Sequence, residues 1–384
     1  MSVFRIRGLI RSKMKIYNKP VPTILAVFQR LALFVGIVAT LSARPAHSAV
    51  ISPNQVKTSA AQSSSVFLPV ITKQYMNLAV DPADRQASLE FFNSVYRASE
   101  GVDIEWTGDI NTCNEGTTSE AFRNAVRLRI NYFRAMAGVP GNVILFTEYT
   151  QKAQKAALMM SANESLSHNP PSTWECYSVD GATAAGRSNL FLGVYSWNAI
   201  DGYIEDPGSG NYPIGHRRWI LYPQTQKMGS GDIPTTGNNW AANALWVFDD
   251  AMWGSRPATR EEFVAWPPPG YVPYQVVYPR WSFSYASADF SAASVTMSSG
   301  GNSIPVSVQP VVNGYGENTL VWEPELVFGS SPAADEVYTV TVNSVTISGQ
   351  AHNFSYQVII FDPGTPGKYP PHTIFDRYLG DPPG

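Results

Sequence analysis

The sequence predicts an α+β chain: a mixed helix-and-strand domain followed by a small all-β sandwich of the immunoglobulin-like kind. Three observations carry this. Helical apolar periods fall in the first half of the chain, between 84 and 205, while the segments after 281 are short, β-branched or aromatic. A triple proline at 267–269 separates the two textures. The 384 residues are 44% apolar and only 15% charged, with 29 Pro and 29 Gly, which favours loops and strands over long exposed helices. Helices first and strands later argue against a βαβ repeat. The expected layout is a mixed domain at 79–258, a Pro-rich linker at 259–275, a β-sandwich at 276–363 and a loose tail at 364–384.

Taken in order, a first helix is expected at 84–99. Ser119 then stands where an N-cap belongs, Phe122, Val126, Ile130, Phe133 and Ala137 follow at helical spacing, and Gly138 suits the end. The stretch 147–163 places Tyr149, Ala153, Ala156, Ala157 and Met160 on one face. A shorter helix at 199–205 stops before Pro207, which disfavours helical backbone in the residue preceding it. Strands are expected at 219–221, 227–229 and 245–249, and in the second half at 281–285, 294–297, 306–308, 319–322, 337–342 and 355–361.

Residues 1–49 carry eight Lys or Arg and no Asp or Glu, with an apolar run at 31–41 and then Ala46-His47-Ser48-Ala49. That order is expected of a secretory signal peptide, an uncleaved anchor being the alternative. The apolar run is short for a membrane span. Residues 50–78 read as a Ser/Ala/Gln-rich linker. Removing the first 49 residues leaves 19 basic against 30 acidic side chains, a net charge of −11. Such a surface repels phosphate backbones and argues against nucleic acid as a partner.

Between 49 and 350 there are only two histidines, His168 and His216, with Glu205 and Asp206 shortly before the second. Imidazole titrates nearest neutrality and is the commonest metal ligand, so these residues mark the candidate site. The chain's two cysteines, Cys113 and Cys176, read as one disulfide in an exported protein, two buried thiols being the alternative. Neither a G-x-S-x-G elbow nor an H-E-x-x-H helix is present.

Several short motifs occur in one order: Arg129-Ile130-Asn131-Tyr132-Phe133-Arg134, Gln154-Lys155-Ala156-Ala157-Leu158, Leu166-Ser167-His168, Gly186-Arg187-Ser188-Asn189-Leu190, the 199–206 stretch, and Gly215-His216-Arg217. In that order, over roughly 84–250, they resemble the CAP superfamily (cysteine-rich secretory, antigen 5 and pathogenesis-related 1 proteins), in its bacterial secreted branch. The resemblance implies an α-β-α sandwich with helices on both faces of a central antiparallel sheet. It also implies a cleft with two histidines and two acids. His168 and His216 match the histidines and Asp206, beside Glu205, the second acid. Ser188 stands where the first acid is usual.

Two imidazoles and one carboxylate (His168, His216, Asp206) still suffice for three ligands to a divalent ion (Zn, Mg or Ca) with water in the fourth position, at reduced affinity. Ser188 is expected to hydrogen-bond His168 or a water. One of Arg217 and Arg218 is expected to anchor a carboxylate, and Tyr203, Tyr212, Trp219 and Tyr222 to pack in core and loops. The motifs favour a binding protein over an enzyme. The leading expectation is an extracellular module for a small apolar ligand, a glycan or a protein. The alternatives are a metal-assisted peptide hydrolase and an adhesin working through the β-sandwich.

Overall fold

A computed structural model describes residues 77–364 and 381–383. The expected signal peptide at 1–49, nearly all of the 50–78 linker and most of the 364–384 tail lie outside the described residues.

Helix α1 (Arg85–Phe91) starts on an Asp84 cap, whose carboxylate accepts from the backbone N–H groups of Gln86 and Ala87. It continues as a π turn and a 3-10 turn to Ser99. Helix α2 (Glu120–Met136) is capped by Ser119, whose hydroxyl accepts from Phe122 N. Its chain leaves through Gly138 at φ +78°, a backbone state that favours glycine. After β1 (Ile144–Leu145) comes α3 (Thr147–Asn163), followed by α4 (Val179–Ala185), β2 (Ser188–Leu192) and α5 (Trp197–Glu205). Helix α6 (Gly215–Ile220) and strands β3 (Lys227–Ile233) and β4 (Ala242–Trp246) complete the first half.

These strands form a sheet in the order β1-β3-β4-β2, antiparallel except for the short parallel edge β1. Successive side chains of a strand point to opposite faces, and that alternation builds the three layers. Leu190, Leu192, Ala242, Ala244 and Trp246 pack with Tyr149, Ala153, Ala156 and Met160 of α3. Phe191 and Leu245 face the other way, into the core of Phe122, Val126, Ile130 and Phe133 from α2 and Ile200 and Ile204 from α5. Helix α3 rests on β3 at glycine distance: a Cβ on Gly231 would collide with the carbonyl carbon of Ala153. The architecture is the expected α-β-α sandwich.

The 219–221 segment, expected as a strand, is instead the end of α6. A three-residue apolar run has no period, so it cannot separate strand from helix. Elements α4 and β2 have no counterpart among the expected elements, and β4 lies three residues earlier than the strand expected at 245–249.

The second half is a β-sandwich. One sheet has the order β10 (Val306–Val308), β11 (Thr319–Pro324), β7 (Trp281–Ser284), β5 (Val264–Trp266). The other has β6 (Gly270–Pro273), β13 (Gln350–Phe361), β12 (Glu336–Ile347), β8 (Ser294–Ser299), β9 (Asn302–Ile304). Six of these strands match expected ones. The Pro-rich 259–275 stretch is corrected from linker to sandwich: β5 and β6 are edge strands of opposite sheets, and the prolines carry the chain between them. Prolines sit well there, because an edge strand does not need every N–H for pairing.

Nor do the two halves hang from a spacer. Trp266 of β5 is fully buried and meets Phe133 of α2 edge-on at 5.1 Å, within one continuous apolar core. Each large side chain so buried contributes about 1.5–3 kcal/mol relative to exposure. Helix α1 also leans on the sandwich, through Arg85 to Asp335 and over the Phe361 ring.

Most polar side chains in the quoted motifs serve the scaffold. Arg129, wholly buried, pairs with Asp201 and lies 3.4 Å above the Tyr96 ring. Asn131 donates to and accepts from the backbone of Val143, and Gln154 does the same for Asp232 of β3. Arg134 donates to five carbonyls, those of Pro140, Ile220, Tyr222, Pro223 and Thr225. Burial pushes its pKa down to about 9. Its charge is stabilised by carbonyl dipoles, with no carboxylate among these partners.

Candidate functional site

The site is assembled from four chain segments: the end of α5, the start of α6, the loop after α3, and residues 381–383. Helix α5 ends at Asp206, whose left-handed backbone (φ +56°) turns the chain towards Pro207. Aspartate tolerates this conformation better than most residues. The turn brings its carboxylate against α6, where one oxygen accepts from His216 Nδ1 at 2.8 Å and the other from the N–H groups of His216 (3.0 Å) and Arg217 (3.3 Å). Asp206 is thus both turn former and histidine partner. Both side chains are fully buried, and the His216 ring stacks on Tyr203 at 5.6 Å.

Tyr203 is anchored in turn. Its hydroxyl lies 2.8 Å from Asn243 Oδ1 and 3.1 Å from the Asn189 carbonyl, and burial holds its pKa well above the ordinary value. Asn189 donates to the His216 carbonyl, which ties β2 to α6. Ser188 precedes it on β2 and is fully buried. Among the described residues, neither Ser188 Oγ nor His216 Nε2 has a hydrogen-bond partner.

His168 lies half-buried in the loop after α3. Its Nδ1 faces the Ala185 carbonyl at 2.7 Å, and its Nε2 faces the Asp381 carbonyl at 2.5 Å. A neutral ring has one N–H and can serve only one of these oxygens. The expected Ser188–His168 hydrogen bond is therefore absent: the ring is turned to the backbone instead. The loop is held by the Cys113–Cys176 disulfide, which joins it to the segment preceding α2.

Arg217 and Arg218 do not take the carboxylate-anchoring role expected of one of them. Arg217 spans the two halves, donating to the Ile204 and Glu205 carbonyls on one side and to the Arg280 carbonyl and Ser282 Oγ on the other. Arg218 reaches the carbonyls of Pro213, Val312 and Glu317. Burial lowers each guanidinium pKa to about 10, with Asp206 opposing in both cases.

From the sandwich, Arg280 returns the grip, donating to the Asp206 and Gly208 carbonyls and pairing with Glu323 at 3.1 Å. Arg280→Ala is expected to cost about 1.5–3 kcal/mol, the range for hydrogen bonds to a charged group. Hydrogen exchange should rise at 206–216 before it rises in α3; uniform exchange would show that the clamp is not local.

The expected metal ligands do not form one donor set. Asp206 is committed to His216 Nδ1 and two backbone N–H groups, and both His168 nitrogens face carbonyls. Among the described residues, no three His, Cys, Asp or Glu side chains gather as a metal-holding group. A Ser–His–Asp relay is also unmade, because it needs the nucleophile within hydrogen-bond reach of the base, and Ser188 Oγ and His216 Nε2 lack partners.

Sequence reasoning misses Arg280, the Trp219 indole and residues 381–383. Arginine beside strand β7 carries no motif, and a Pro/Gly-rich tail reads as loose whatever it contacts. The Trp219 indole N–H donates to the Pro383 carbonyl at 2.7 Å.

The described residues form an α-β-α sandwich that carries a buried His216–Asp206 pair and is joined to a β-sandwich. Residues 128–248 match the family model of the cysteine-rich secretory protein family, CAP. That match covers about a third of the chain and supports a domain of this family there. The comparison with curated proteins finds no match.

Proposed function

We propose that this chain is an extracellular binding module whose cleft holds a ligand without cleaving it. The observation that carries the reading is the His216–Asp206 pair: fully buried, locked to backbone N–H groups, and out of contact with any nucleophile among the described residues. A hydrolase needs either a positioned nucleophile and base or a metal-bound water, and the donor set supports neither. The Cys113–Cys176 disulfide suits an oxidising compartment. Members of the family are generally extracellular, and no helix among the described residues is long and apolar enough to cross a membrane.

The test is turnover of a mixed peptide library read by mass spectrometry, with millimolar Zn²⁺, Mg²⁺ or Ca²⁺ and again with chelator. No turnover is expected in either condition. Metal-dependent cleavage that disappears in His168→Ala would establish the hydrolase instead. The adhesin reading gains nothing specific, since a fragment beginning at Trp281 would lack β5, β6 and the Trp266 contact with α2.

A further inference from the structure

We infer that the cleft between His168 and α6 is a polypeptide-binding groove for an extended, proline-containing segment, with Asp381-Pro382-Pro383 as its built-in occupant. The inference rests on the binding reading above and supplies its ligand class. Two side-chain donors from separate elements read main-chain carbonyls two residues apart: His168 Nε2 meets the Asp381 oxygen at 2.5 Å, and Trp219 Nε1 meets the Pro383 oxygen at 2.7 Å. Such recognition suits proline. Pro382 and Pro383 have no N–H, so burying their backbone strands no donor, and their restricted φ reduces the entropy lost on docking. Both prolines are buried while Asp381 is exposed.

The groove is built for this contact. Trp219 is braced edge-on by Phe248 at 4.7 Å and Tyr222 at 6.0 Å. Between His168 and Trp219 the floor is Gly215, where a Cβ would collide with Pro382 Cγ and fall 3.0 Å from the Tyr315 ring. Any larger side chain at 215 would fill the space that the proline ring takes. A partner polypeptide with the same Asp-Pro-Pro pattern would compete for the groove, against the high effective concentration of a tethered occupant.

The experiment uses the full chain with Pro382→Ala and Pro383→Ala, which weakens the built-in occupant, and a fluorescein-labelled peptide of sequence Leu-Gly-Asp-Pro-Pro-Gly followed by anisotropy. The peptide is expected to bind this variant at least about tenfold more tightly than the unaltered chain, because the tethered segment competes there. In the same background, Trp219→Phe and His168→Ala should each weaken binding by about tenfold, the size of one hydrogen bond. The Ala-Ala version of the peptide should bind poorly. In the otherwise unaltered chain, Gly215→Ala should speed solvent exchange of the Trp219 indole N–H in ¹⁵N spectra. Absence of binding by a variant that melts like the unaltered chain, or binding indifferent to Trp219→Phe, would overturn the groove. Cleavage of the peptide in place of retention would overturn the binding reading itself.

Discussion

Replacing Arg134 with methionine is expected to lower the melting temperature by on the order of 10 °C, the largest single-substitution effect expected in this chain. The guanidinium is fully buried and donates to five carbonyls, four of them at Ile220, Tyr222, Pro223 and Thr225 in the passage from α6 to β3. Methionine fills much of the volume but donates nothing. Each buried carbonyl left unpaired costs about 1–3 kcal/mol, and some will be recovered by water, so a net loss of about 4 kcal/mol is the reasonable centre. Arg134→Lys keeps a charge but loses the planar fork, and should fall between the two. Thermal melts of the three proteins check the order; a Met variant within a degree or two of the parent would show that the loop holds itself.

The second large effect is expected at the disulfide. Replacing Cys113 and Cys176 together by serine should cost about 4 kcal/mol on the chain-entropy model, because the bond closes a loop spanning 63 residues. Guanidinium denaturation should show a lower midpoint for the double variant, and for the parent in reductant, while reductant leaves the double variant unchanged. The consequence extends to the cleft, since the His168 loop leads to Cys176. Peptide binding should weaken more than the α2–α5 core loosens. An unchanged midpoint would mean that the unfolded chain is already compact over this span.

Much of the fold is legible in the order of residues alone, and the reasons are local. Ser119 and Asp84 satisfy orphan N–H groups at helix starts, and Gly138 accepts a backbone state other residues resist, so α1 and α2 announce their ends. Helix α3 matches its expected bounds because the apolar face of 147–163 repeats over four turns. Short elements escape for want of period: α6 at 215–220 reads partly as a strand, and β5 and β6 are hidden among prolines. The site divides the same way. His168, Asp206 and His216 stand out by residue type and by the family resemblance. Their hydrogen bonds do not, because they depend on how far apart the chain places its partners.

By itself the sequence determined the resemblance to the CAP family, the order of helices before strands, the pair of cysteines and the residues of the candidate site. Each of these is written in neighbouring residues, as caps, periods and short motifs. The tertiary structure alone decided that the two halves share a core, that Arg217 and Arg280 clasp them across the Asp206 turn, and that His168 meets Asp381 rather than Ser188. These contacts join residues tens to more than two hundred positions apart. Their partners are mostly backbone carbonyls, which every residue carries, so no side-chain pattern in the sequence could announce them.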